Sequence, residues 1–246
     1  MKKLALLIVL CSVLGLNTVW ASTGTTDPTI FQDTIDWCTN YGCLSQQLGT
    51  PQTWLSNGGA TGMVGLVSSQ NMQNLVQGTS WNGNFANGMG LIYNGVITLG
   101  NTPGGILLAL DNPAYGVGAY IQDDPYGAFT ATISLYDSSF NLLGTYSAPG
   151  SSDTNVGTAL FIGAYDSSAD VSYALFDTND DIFAIGSAKL MTQQYTPVPE
   201  PGTLALLVPS ALGIMVGLPP MRTAAAELLV PRSMPMILAK ISSPKI

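Results

Sequence analysis

The sequence predicts an all-β protein, a β-sandwich or jelly roll, on three observations. First, residues 22–196 contain thirteen aspartates and one lysine, Lys189, but no glutamate and no arginine. Helical surfaces rely on Lys, Arg and Glu. Gly, Ser, Thr, Asn and aromatic residues stand in their place here, as in turn-rich β domains. Second, short apolar runs recur at roughly ten-residue spacing with no helical interval between them, each bounded by Gly, Asp, Asn, Ser or Pro. Third, Phe129, Ala131, Ile133 and Leu135 alternate with Thr130, Thr132 and Ser134. That period of two belongs to a strand with one buried face.

Taken in order, Thr23 to Pro28 is a polar lead-in. Phe31 to Leu48 mixes apolar and polar residues without a clean period. Thr61 to Val76 opens with a strand over Met63 to Val67 and becomes more polar. Gly78 to Gly90 is rich in Gly and Asn and reads as a loop. Leu91 to Leu99 is broken by Asn94-Gly95, a hairpin-turn dipeptide. Strands follow over Gly105 to Leu110, Gly116 to Gln122, Ala128 to Tyr136, Leu142 to Ser147, Thr158 to Tyr165, Val171 to Phe176 and Ile182 to Leu190. Such spacing suits a sandwich or jelly roll.

Charge excludes some functions. The chain carries a net charge of −8. Phosphate binding needs Lys and Arg to release counterions, so nucleic acid is not an expected partner. Anionic lipid surfaces are disfavoured for the same reason. There is no histidine, so neither a Ser-His-Asp triad nor a Cys/His zinc site is available. Cys38 and Cys43 have four residues between them rather than the two of a redox pair, and read as a short disulfide in an exported chain. Closing so small a loop stabilises by about 2 kcal/mol in the chain-entropy treatment.

Both ends read as addresses. Lys2 and Lys3 precede an apolar run from Leu4 to Leu16, and Val19-Trp20-Ala21 has the small-residue pattern of a signal-peptidase site. Near the other end, Val198, Pro199, Glu200 and Pro201 lead through Gly202 and Thr203 into an apolar run, Leu204 to Leu218, closed by Pro219-Pro220. That run is shorter than the roughly 20 residues of a full membrane span. The arrangement resembles the PEP-CTERM sorting signal of Gram-negative bacteria. The resemblance implies export, an inner-membrane-anchored precursor, and recognition by an exosortase-type membrane protease tied to exopolysaccharide production. The mature protein is then expected at the cell surface or in the extracellular matrix. Basic residues after the run are spread out (Arg222, Arg232, Lys240, Lys245) rather than clustered as in that family. The organisation expected is a signal peptide over 1–21, a secreted β-sandwich over 22–196, the sorting signal over 197–221 and an atypical tail over 222–246.

The stretch from Ser80 to Leu190 also resembles a globular domain that recurs upstream of such signals. The matching pieces are Ser80 to Phe85, Val117 to Gln122, Tyr126 to Ile133, Ala159 to Gly163 and Asp181 to Ile185. The resemblance implies a secreted, lectin-like jelly roll with no assigned catalytic residues. Relatives often carry Asp after the Phe-Ala-Ile of the last strand; Gly186 stands there in this chain.

The sequence offers three types of candidate site. No motif selects a catalytic residue, so the expected function is non-enzymatic; a glycan-active hydrolase built on paired aspartates is the alternative. No cofactor is required, but Asp177, Asn179 and Asp181 place several oxygens in five residues, as hard Ca²⁺ prefers. Asp123-Asp124-Pro125 is a lesser cluster of the same kind. Trp81, Asn82 and Tyr126, with Asn84, Tyr115 and Tyr120, are candidates for stacking on and hydrogen-bonding sugar rings. The competing reading for Trp81 and Phe85 is that they cap the sandwich. The functional expectation is an exosortase-sorted surface or matrix protein that binds exopolysaccharide, with a purely adhesive coat component as the third reading.

Overall fold

Residues 22–68, 70–95 and 104–196 are described by the structure, a computed structural model. The expected signal peptide, the motif Val198 to Pro201, the apolar run and tail that follow it, and Val96 to Leu99 lie outside the described residues. Among the described residues no helix is long and apolar enough to cross a membrane.

The chain forms β1 (Thr23–Thr25), β2 (Asp33–Ile35), α1 (Trp37–Tyr41), β3 (Gln46–Leu48), β4 (Gln52–Leu55), β5 (Thr61–Leu66), β6 (Met72–Val76), β7 (Gly90–Tyr93), β8 (Ile106–Ala114), β9 (Gly116–Asp123), β10 (Gly127–Tyr136), β11 (Leu142–Ser152), β12 (Leu160–Tyr165), β13 (Val171–Thr178) and β14 (Phe183–Met191). They build two antiparallel sheets. One has eight strands, ordered β1-β12-β9-β14-β7-β6-β3 with β2 also on β14. The other has six, ordered β11-β10-β13-β8-β5-β4. From β7 onward every connection crosses between the sheets except the β10–β11 hairpin.

The core lies between the sheets. Phe129, Ala131, Ile133 and Leu135 of β10 all point into it, as their alternation predicts. They meet Val117, Ala119 and Ile121 of β9 and Phe183 and Ile185 of β14 from the opposite sheet. The seven strands expected after Gly105 are all present, several longer than expected. β11 runs on through Pro149, which is tolerated because β11 is an edge strand and a missing N–H is harmless on its open side.

Two segments differ from expectation. Asn94-Gly95 does not turn a hairpin. β6 and β14 already pair with the two sides of β7, so no edge remains for a returning strand. Asn94 is instead fully buried. Its side chain donates to the carbonyls of Gly104 at 2.8 Å and Asp181 at 3.0 Å, and accepts from the Phe183 N–H at 2.8 Å. The aperiodic stretch from Phe31 to Leu48 contains the short helix α1. Asp36 caps it by accepting from Cys38 N–H and the Thr39 hydroxyl. Gly42 ends it at φ 79°, a left-handed conformation that favours glycine. The Cys38–Cys43 disulfide closes the same turn, with Cα atoms 4.5 Å apart. Trp37 is thereby held in the core, its indole N–H donating to the Gly186 carbonyl at 2.6 Å.

The outer face of the eight-stranded sheet is covered. The Gly/Asn-rich loop after β6 lays Trp81 and Phe85 onto Leu75, Leu91 and Ala184. Buried amides pin the loop. Gln122 accepts from the Trp81 indole and the Asn84 N–H, while Asn84 donates to Thr158 and accepts from the Asp153 N–H. Gly186 sits under this cover: a Cβ there would come within 2.5 Å of Met89 Sδ and 3.0 Å of the Phe85 ring. Packing therefore accounts for glycine at this position.

Candidate functional site

Among the described residues the six-stranded sheet carries no such cover. Strand register lines up its outward side chains in rows. One row runs Thr53, Met63, Ala109, Tyr173 and Tyr136 across β4, β5, β8, β13 and β10. The next runs Gly65, Leu107, Leu175, Ser134 and Thr145. A third places Asp177 beside Thr132 and Ser147. The face thus changes from apolar on β5 and β8 to hydroxyl-rich on β10 and β11.

Two adjoining hollows follow that gradient. The apolar one, about 310 Å³, lies over Met63, Leu107, Ala109 and Tyr173 and is walled by Thr50 and Pro51. The polar one, about 220 Å³, lies over Thr130, Thr132, Ser134, Asp177 and Asn179. Thr132 and Ser147 share a hydrogen bond of 3.0 Å, and Ser134 and Thr145 one of 2.9 Å. Beside the apolar hollow, Phe140 stacks on Tyr173 with ring centroids 4.0 Å apart. Phe140 reaches that position from a turn with φ 61°, uncommon for a bulky residue. Asp137 braces the turn by accepting from the N–H groups of Ser139 and Asn141. An outlier held in place by its surroundings is a pointer to function.

Asp177 lines the polar hollow, and its carboxyl is raised above the usual range, chiefly by burial and further by Asp181. Asn179 is committed elsewhere: its carboxamide oxygen accepts from the Thr130 N–H at 2.6 Å. Asp181 lies exposed in the β13–β14 turn at φ 61°. Among the described residues no three acidic, histidine or cysteine side chains converge on a common centre.

The expected aromatic sugar site is divided. Trp81 is buried beneath the loop, with Asn84 alongside it. Tyr120 and Tyr115 pack against apolar clusters on the eight-stranded sheet. Tyr115 and Tyr120 are half-buried there, and Asn82 and Tyr126 are the exposed members of the set; Tyr126 is 59 % exposed and its hydroxyl donates to the Asn82 carbonyl at 2.7 Å. The Trp81 indole therefore caps the sandwich and offers no free ring face. Sequence reasoning missed Tyr173, Phe140 and Leu107. The outward alternation of Tyr173, Leu175 and Asp177 is visible in the sequence, but their neighbours belong to strands distant in the chain.

One aspartate stands apart. Asp123 ends β9 on the inward face and is only 1 % exposed. Burial pushes its carboxyl up to about 6; the nearby Thr178 hydroxyl pulls the other way, and Asp180 and Asp124 add to the rise. Comparisons with protein families, with curated proteins and with solved structures return no match.

Proposed function

We propose that this chain is an exported, non-enzymatic surface or matrix protein that contacts exopolysaccharide through the bare face of its six-stranded sheet. The observation that carries the reading is the composition of that face. An aromatic and apolar half adjoins a hydroxyl and carboxamide half. Residues 22–196 supply Lys189 as their only basic side chain, and it belongs to the other sheet. A sugar ring has the same two-sided character: apolar C–H faces stack on aromatics and hydroxyls exchange hydrogen bonds at the rim. The strand order supports a jelly roll. Counting β7 to β14 as one to eight, the sheets read 1-8-3-6 and 2-7-4-5, the order of two interleaved Greek keys.

Binding of the purified protein to a glycan array tests this reading. Tyr173→Ala is expected to weaken retention of the preferred glycan by about tenfold, the scale of one lost stacking platform. Tyr126→Ala, at a residue that lines neither hollow, should not. If no glycan is retained by the unaltered protein, the adhesive coat reading replaces this one. A second reading draws on Asp177, a carboxyl raised by burial in a polar hollow, which suits a general acid. Release of reducing ends from polysaccharide, lost in Asp177→Asn, would favour that hydrolase.

Export and sorting rest on the two ends of the sequence. Pro199 and Pro201 disfavour helix at the residues before them, leaving an extended stretch for an exosortase-type protease beside the membrane. Changing Pro199, Glu200 and Pro201 to alanine is expected to hold the precursor in the inner membrane, as read by fractionation. Mass spectrometry of the native protein provides the opposing check. A chain that has lost residues 1–21 but still ends beyond Lys245 rules the sorting reading out.

A further inference from the structure

The inward face of β9 presents Val117, Ala119 and Ile121 to the core, and Asp123 continues that face. A carboxylate in this position needs a partner, because an isolated buried charge is among the costliest groups a fold can hold. Neither oxygen of Asp123 has a hydrogen-bond partner of normal geometry among the described residues, although Thr178 and Asp180 stand close enough to act on its carboxyl. Across the sandwich, Thr178 ends the inward face of β13, 6 % exposed, and its hydroxyl has no partner either. Asp180, in the exposed β13–β14 turn, brings a second carboxylate up to Asp123.

Among the described residues no basic side chain offsets this pair. Lys189 is the one cation in residues 22–196, and it donates to the Thr34 hydroxyl. The backbone that carries Asp123 is held on three sides: it pairs with Phe183, its carbonyl accepts from Ser152 Oγ at 3.0 Å, and the next N–H bonds to Ile182. Asp124 is turned away, its carboxylate accepting from the Tyr93 hydroxyl at 2.8 Å. Three oxygens without partners of normal geometry, two on Asp123 and one on Thr178, thus lie near one another at one end of the sandwich, with the Asp180 carboxylate beside them.

We propose that Asp123, Asp180 and Thr178 bind a hard divalent cation, calcium by preference, that ties the two sheets together at this end. An all-oxygen set of two carboxylates and a hydroxyl, completed by carbonyls and water, is the donor chemistry calcium takes. Magnesium requires a tighter octahedron and keeps more of its water. The site is separate from the sheet face proposed to bind glycan and stands or falls independently of it. It also differs from the Asp177, Asn179 and Asp181 set, of which Asn179 is engaged with the backbone of β10.

Thermal melting of the full chain in EDTA and in calcium, with calorimetric titration of calcium chloride, tests the proposal. Calcium at about 100 times its dissociation constant should raise the melting temperature by about 5–10 °C. Asp123→Asn keeps the shape of the side chain and removes its charge. It should abolish the calcium response while melting in EDTA no lower than the unaltered protein, since the charge it removes is then uncompensated. Asp180→Asn should weaken calcium binding at least tenfold, and Asp177→Asn should leave it unchanged. No heat of binding and no shift in the unaltered protein overturns the proposal. So does a calcium response that survives Asp123→Asn, or one that is lost in Asp177→Asn instead.

Discussion

Replacing Ile133 by aspartate is expected to leave the chain without a cooperative melting transition. Ile133 is fully buried at the middle of β10, flanked in register by Tyr146 on β11 and Phe176 on β13. A carboxylate there would meet only apolar neighbours, and the domain has almost no cation to move towards it. An uncompensated buried charge costs about 3–5 kcal/mol even where its surroundings are partly polar. Domains of this size hold only about 5–15 kcal/mol in total. Ile133→Val, which loses one methylene, should cost about 1 kcal/mol. Near-ultraviolet circular dichroism and thermal melting read both variants. An Ile133→Asp protein that melts like the original would overturn the core assignment of β10.

Asn94→Leu is expected to have the next largest effect. Leucine keeps the branching of asparagine but strands three backbone groups: the buried Phe183 N–H and the partly buried carbonyl contacts to Gly104 and Asp181. Each unpaired group costs about 1–3 kcal/mol. Because the three share one side chain, a combined loss of about 3–5 kcal/mol is expected. Asn94→Asp should fall between, since its carboxylate still accepts from Phe183 N–H but faces two carbonyls. Urea denaturation gives the size of the effect, and amide exchange at Phe183 gives its place. A loss below about 1 kcal/mol, with Phe183 exchange unchanged, would mean that Asn94 is not the clamp its geometry indicates.

Asn94 also shows where local sequence reading stops. Asn-Gly between apolar residues is a strong hairpin signal because both residues accept positive φ. The signal assumes that the strand before it has a free edge. Here β6 and β14 occupy both edges of β7, and β14 lies ninety residues further along the chain. Trp81 is a second case. An aromatic among Asn and Gly suits a sugar platform and a lid equally well, and only the apolar outer surface of the eight-stranded sheet beneath it decides for the lid.

The sequence by itself determined the all-β class, the places of most strands and the pairing of Cys38 with Cys43. Those follow from local physics: period-two alternation, turn residues at the boundaries and the reach of a short loop. It did not determine which strands become neighbours, and so could not assemble the face around Tyr173 or the oxygens of Asp123, Thr178 and Asp180. Each of those groupings joins strands from separate parts of the chain. Their proximity is set by burial of two sheets against each other, a non-local interaction that leaves no mark in the order of residues.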